Sequence, residues 1–181
     1  SAIIYLILAP LTYHPDNKLV MYWAGQEEGA VWNIWQYGEE NFGNQAQYNY
    51  PPAHYYIDKA QYFIAKLIAG IDFDEWLRLP NDSDATNPKI PLFTFAMKPV
   101  LIFYTLLAGW LIYLIGQVGG LQKSRAIFAA LLFLLNPITI YSIPIMAQND
   151  ILAITPFLFG WWILLRYKSL KSAIFVSLVF A

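Results

Sequence analysis

PVLIFYTLLAGWLIYLIGQVGGLQ (residues 99–122) and, after three intervening residues, AIFAALLFLLNPITIYSIPIMAQN (residues 126–149) contain no charged side chain. The hydrocarbon layer of a bilayer is about 30 Å thick and a helix rises about 1.5 Å per residue, so about 20 apolar residues cross it. Both stretches meet that length. Ile151 to Leu165 is a shorter apolar run, a fourth begins at Ser172, and a fifth occupies Ala2 to about Thr12. Neither terminal run crosses alone, and the first residue is Ser1 rather than methionine, so the expectation is a piece of a longer polytopic protein. The opening run has the hydrophobicity of a signal-peptide core, without its basic leader or small-x-small cleavage site.

The composition agrees. Of 181 residues, 58% are hydrophobic, 18% aromatic and 13% charged. Soluble domains carry about 25% charged residues, and a globule this small has too much surface to hide so much apolar area. A net charge of -1 and the absence of cysteine exclude a nucleic-acid binder, a disulfide scaffold and thiolate chemistry.

Basic residues orient the spans. Residues 118–125 carry Lys123 and Arg125, and residues 166–171 carry Arg166, Lys168 and Lys171, without an acidic neighbour. By the positive-inside bias both linkers face the cytoplasm. All 12 acidic residues then fall on the outer side, from Asp16 through Glu27, Glu28, Glu39, Glu40, Asp58, Asp72, Asp74, Glu75, Asp82 and Asp84 to Asp150. That parity bears on Pro51 to Ile71, which contains Asp58, Lys59 and Lys66, costly groups at membrane depth. Its apolar residues Tyr56, Ile57, Ala60, Phe63, Ile64, Leu67 and Ile68 follow a helical stripe. The expectation is a helix lying flat on the outer leaflet with that stripe in lipid. The fold class is thus all-α: a polytopic transmembrane bundle with a first span at 1–12, an extracytoplasmic loop with interfacial helices at 13–93, and further spans at 94–181. Within the loop a helix is expected from Asp16, another around Trp32, Trp35 and Tyr37, and an irregular segment from Asp72 to Pro91.

Three groups carry candidate chemistry. His14-Pro15-Asp16 stands where the first span leaves the membrane; a carboxylate at the lipid–water boundary suits a general base, and equally a helix cap. Tyr50-Pro51-Pro52-Ala53-His54-Tyr55 is a rigid turn opening a helix. It would present Tyr50, His54 and Tyr55 to a phosphate or a sugar ring, or form part of an aromatic belt. Asn136-Pro137 lies within a span and Gln148-Asn149-Asp150 at its outer end. Asp150 is only about 22 Å of helix from Arg166, which draws it toward membrane depth, where an acid usually marks a substrate or ion path. Pro137, Pro144 and Pro156 can bend these helices to open a cavity. No phosphate-cradling glycine motif or HExxH is present, and with His14 and His54 as the two histidines a zinc site is not expected.

This order of features resembles the C-type glycosyltransferase superfamily, polytopic enzymes that use polyprenyl-phosphate sugars and include the dolichyl-phosphate-mannose-dependent mannosyltransferases. The residues that carry the likeness are His14-Pro15-Asp16 with Tyr22-Trp23-Ala24, Tyr50-Pro51-Pro52, and Asn136-Pro137 with Gln148-Asn149-Asp150. They correspond to the N-terminal third or so of a typical member. The resemblance implies transfer of a sugar from a lipid-phosphate donor to an acceptor hydroxyl on the periplasmic, extracellular or lumenal face, with inversion. Asp16 would be the base, His14, Tyr50, His54 and Lys98 would hold the phosphate or headgroup, and Gln148 and Asp150 would line the sugar pocket. It implies membrane lipid, other membrane subunits and no nucleic acid as partners, and no obligatory cofactor. Some relatives use a divalent metal, for which Asp16 and Asp150 are the candidate ligands. Two other functions stand beside it. A transporter fragment would pack its helices through small residues and give the outer loop little role. A non-catalytic subunit or scaffold would leave Asp16 and Asp150 apart or filled in by side chains.

Overall fold

The computed structural model describes residues 2–25, 52–79, 87–172 and 174. The described residues form helices and no strands: α1 (Ala2–Leu8), α2 (Pro15–Ala24), α3 (Pro52–Ala69), α4 (Asp72–Arg78), α5 (Ile90–Ala96), α6 (Pro99–Val118), α7 (Lys123–Leu134), α8 (Pro137–Ile140), a π-helical turn (Tyr141–Ile145) and α9 (Ile151–Tyr167). The expected helix around Trp32 to Tyr37, the turn residue Tyr50 and the run after Ser172 lie largely or wholly outside the described residues.

α6 has the length and apolarity to cross a membrane. The second charge-free stretch does not form one straight rod. It divides into α7 and a segment over Pro137–Ile145, bent by 46°. Asn136 ends one helix and starts the next: its side-chain oxygen accepts from the Ile138 amide at 2.8 Å, with Pro137 in the first turn. The carbonyl of Leu134, freed by the break, accepts instead from the Tyr5 hydroxyl at 2.8 Å, a bond that ties α1 to α7. Pro144 has no amide to donate, and the chain widens there into the π-helical turn, where the Met146 amide reaches back to Tyr141. α9 has 17 residues and falls short of a full span by length.

α6 packs against both α7 and α9. At the α6–α7 contact a Cβ on Gly109 would stand 2.7 Å from the Leu134 side chain, and one on Gly116 would stand 3.1 Å from that of Ala126. Small residues therefore set this helix separation, as they do between helices in lipid. The Gly116–Ala126 contact places Lys123 and Arg125 at the C-terminal end of α6. The N-terminal ends of α6 and α9 meet the π-helical turn at the other end, in a cluster of Leu101, Ile143, Ala147, Ile151 and Leu152. The two linkers rich in basic residues thus lie opposite the end that carries Asp16 and Asp150.

A second core, built from aromatic rings, joins α2, α3, α4 and α5. Trp76 is stacked on Phe93 at 5.1 Å and meets Phe73 and Tyr13 at 5.5 Å. The region from Asp72, expected to be irregular, contains a helix. Asp72, Asp74 and Glu75 occupy the first turn of α4 and Arg78 the last, a charge order that complements the helix dipole. Its buried residues Phe73, Trp76 and Leu77 recur at helical spacing.

α3 buries Tyr55, Tyr62, Ala65 and Ala69 in this core and also carries an apolar stripe on its outer face. Tyr56, Phe63, Ile64, Leu67 and Ile68 are exposed, Leu67 by 85%, whereas His54, Asp58 and Gln61 are buried against the protein. The Gln61 amide donates to the Met97 carbonyl at 2.6 Å. A helix that buries its polar residues and leaves an apolar stripe outward suits a lipid surface.

Candidate functional site

The site is built where the start of α2 meets the turn between the π-helical segment and α9. Pro15 at the first helical position favours the start of α2, with His14 as its cap. The His14 imidazole Nδ1 accepts from the Asp16 amide at 3.3 Å, so the cap is His14 and not Asp16. Nδ1 also lies 3.3 Å from the Asp16 carboxylate. The ring thus sits against both the amide and the carboxylate of Asp16. The Asp16 side chain is 77% exposed.

Two further bonds stitch this helix start to a segment 130 residues away. The His14 amide donates to the Met146 carbonyl at 2.9 Å, and the Asn17 side-chain amide donates to the Ala147 carbonyl. Ala147 holds φ 58°, a left-handed conformation that usually falls to glycine at a helix end. Its methyl group is buried with Leu101 and Ile151, which accounts for a side chain at that position. The left-handed residue turns the chain so that the Gln148 amide bonds to the Ser142 carbonyl at 2.8 Å.

Between the two segments is a small cavity lined by His14, Asp16, Asn17, Gln148 and Asn149, with a volume of about 30 Å³. That is room for one water molecule and not for a hexose. The amide oxygens of Asn17 and Asn149 are buried and have no hydrogen-bond partner among the described residues. Neither asparagine was singled out as a site residue from sequence; each stands beside a candidate, and an asparagine inside a helix turn carries no distinguishing signal. The fold thus brings His14, Asp16 and Gln148 together.

His54 and Asp150 form the adjoining pair. Burial lowers the His54 pKa from the usual histidine value, and the nearby negative charge of Asp150 works against that shift. One turn along α3, the fully buried Asp58 carboxylate stands 3.6 Å from His54 Nε2. Asp58 was noted in the sequence for its cost at membrane depth and not as a site residue. Its i, i+4 spacing from His54 is the signal that would have found it.

Lys98 stands apart from this cavity. Its buried ammonium donates to the carbonyls of Ala9 at 2.6 Å, Pro144 at 2.8 Å and Ile145 at 3.0 Å, and also to Thr12. These carbonyls lie just beyond α1 and at the close of the π-helical turn, where a cation offsets the unpaired backbone oxygens. Lys98 therefore pins α1, the π-helical turn and α6 to one another. No acidic and histidine side chains gather in a group able to hold a metal ion among the described residues.

Compared with protein-family models, with curated proteins and with solved structures, the chain matches none. The functional reading rests on the site.

Proposed function

We propose that the chain is part of a multi-pass membrane glycosyltransferase that moves a sugar from a polyprenyl-phosphate donor to an acceptor hydroxyl on the extracytoplasmic face. In this reading α6, the bent α7–Ile145 segment and α9 cross the bilayer, and α3 lies in the outer leaflet. The observation that supports it is the meeting of His14 and Asp16 with Gln148 and Asn149 around one cavity, beside His54 and Asp150. These groups come from three distant parts of the sequence, each with a chemical reason to be noticed. The exposed apolar face of α3, the helix that carries His54, would bring a lipid-borne donor toward the site.

The chemistry is a single displacement. The Asp16 carboxylate takes the proton of the acceptor hydroxyl, whose oxygen forms a bond to the anomeric carbon. The bond from that carbon to the phosphate oxygen breaks, and the lipid phosphate leaves with the electron pair. Backside attack inverts the anomeric centre. The sugar lies over the cavity against the exposed Asp16, because the cavity itself admits no more than a water. A ring N–H of His14 or His54 would donate to the phosphate oxygen as its charge develops, and no metal is assigned a step.

Asp16→Asn tests this. In purified protein supplied with a polyprenyl-phosphate sugar, turnover should fall at least about 100-fold, the lower range for loss of a general base. The unfolding temperature should hold, since Asp16 is exposed. Unchanged turnover would remove Asp16 from the reaction and direct attention to Glu27 or Glu28. The size of the cavity favours a second reading, a non-catalytic subunit; wild-type protein that is folded yet inert toward every polyprenyl donor would favour it over the first.

A further inference from the structure

A larger cavity lies elsewhere, between the end of α2, α3 and α4. It encloses about 300 Å³ and is lined by Tyr22, Tyr62, Lys66, Asp74 and Arg78, with Gly25 and Leu77. That volume is at the lower end of small-ligand pockets. Nothing in the proposed transfer reaction uses it.

Its wall is ordered by a hydrogen-bonded triad. Lys66 contacts the Asp74 carboxylate at 2.6 Å, the Tyr62 hydroxyl donates to the same carboxylate at 2.6 Å, and Lys66 donates to the Tyr62 oxygen at 3.3 Å. Burial would raise the Asp74 pKa, but the bonds from Lys66 and Tyr62 and the Lys66 and Arg78 charges hold it below the usual carboxylate value. Asp74 is therefore an anion at neutral pH, balanced by Lys66. Arg78 is the second cation of the cleft and acts on Asp74 through its charge. Gly25 completes the wall: a Cβ there would stand 2.8 Å from the Tyr62 ring, so a larger residue would displace that ring.

The surroundings are apolar and outward-facing. Lys66 is flanked on α3 by Phe63 and Leu67, and beyond the helix Ile71 is 83% exposed. A polar, net-cationic cleft beside an exposed apolar ridge matches an amphiphile with a negatively charged head. We propose that this cleft binds a phosphate group, carried by an anionic lipid of the outer leaflet. Arg78 forms the bidentate contact to the phosphate oxygens that its planar fork allows. Lys66, with a third proton to donate, completes the shell, and the acyl chains lie along Phe63, Leu67 and Ile71. The site anchors α3 at a fixed depth. It depends on the outer-leaflet placement of α3 and not on glycosyl transfer.

The test uses the purified protein in a neutral detergent and short-chain phosphatidylglycerol, with short-chain phosphatidylcholine and inorganic phosphate as separate arms. Phosphatidylglycerol should bind several-fold more tightly than phosphatidylcholine. One basic residue near an anionic lipid surface is worth about 1 kcal/mol, so Arg78→Gln should weaken phosphatidylglycerol about five-fold. Phosphatidylcholine carries the same phosphodiester beside its own choline cation, so its weaker binding should fall by less. Arg78→Lys should recover part of the loss, and the unfolding temperature of both variants should match the wild type. Equal binding of the two lipids, or an Arg78→Gln variant that keeps its preference, would overturn the proposal. Displacement of phosphatidylglycerol by an equal concentration of inorganic phosphate would also overturn it, by making free phosphate the ligand. Loss of sugar transfer in Asp16→Asn would leave this result untouched, so the two readings can fail separately.

Discussion

His54 is the side chain whose chemistry the fold changes most. In sequence it is one member of an aromatic-proline turn; in the structure it is buried, 3.6 Å from Asp58 on its own helix and within reach of the charge of Asp150 at the start of α9. Because burial lowers its pKa, the unfolded chain binds the proton more readily than the folded one. Stability should therefore be fully present above the unfolded value of about 6.5 and fall as the pH drops from there through the lowered folded value. Thermal unfolding in detergent across that window measures the slope, and His54→Gln should flatten it. A slope that persists unchanged would place the titrating group elsewhere. Ala147 teaches a related lesson: its left-handed conformation, invisible from an alanine in sequence, is what brings Gln148 and Asn149 against α2.

Helices α6 and α7 show how a small side chain sets an architecture. Gly109 abuts Leu134, so Gly109→Val should force the helices apart or Leu134 out of place. Overpacking of this kind costs about 1–3 kcal/mol, read as a lower unfolding temperature; a variant as stable as the wild type would show that the contact is looser than 2.7 Å implies. Elements were legible in the sequence to different degrees. The apolar stripe of α3 and its outward direction follow from residue spacing, because a 3.6-residue period leaves a clear signature. α4 was not legible. Its Asp-rich start resembles a loop by composition, while its helical state depends on Phe73 and Trp76 reaching Tyr62 and Phe93, residues distant in sequence. The second charge-free stretch was legible as apolar and as containing prolines, but its 46° bend depends on where Asn136 caps and Tyr5 bonds.

At the scale of the whole molecule, the described acidic residues gather toward one end of the helix axes, while basic residues occupy both ends. Asp16 and Asp150 stand at the end where α6 and α9 begin, and α4, with Asp72, Asp74 and Glu75, packs against α2 and α3 near that end. Lys123 and Arg125 begin α7 at the opposite end. Because the chain contains no cysteine, single-cysteine variants report on this arrangement without background. Glu75→Cys and Ser124→Cys, both at exposed positions, should differ in sealed cells. An impermeant maleimide should label position 75 from outside and position 124 only after permeabilisation. Labelling of both from outside would break the membrane placement, and the donor-lipid proposal with it.

Sequence by itself determined the helical class, the apolar stretches, the basic character of the linkers and the apolar stripe of α3. Each depends on local periodicity or on charge counted over short segments. Only the tertiary structure decided that residues 14–17 meet residues 147–149, that Lys98 is held by carbonyls away from the cavity, and that Tyr62, Lys66, Asp74 and Arg78 share a cleft. Those contacts arise from helix packing and from two broken helix ends whose free backbone groups had to find partners. Such partners are chosen by position in space, which no spacing along the chain encodes.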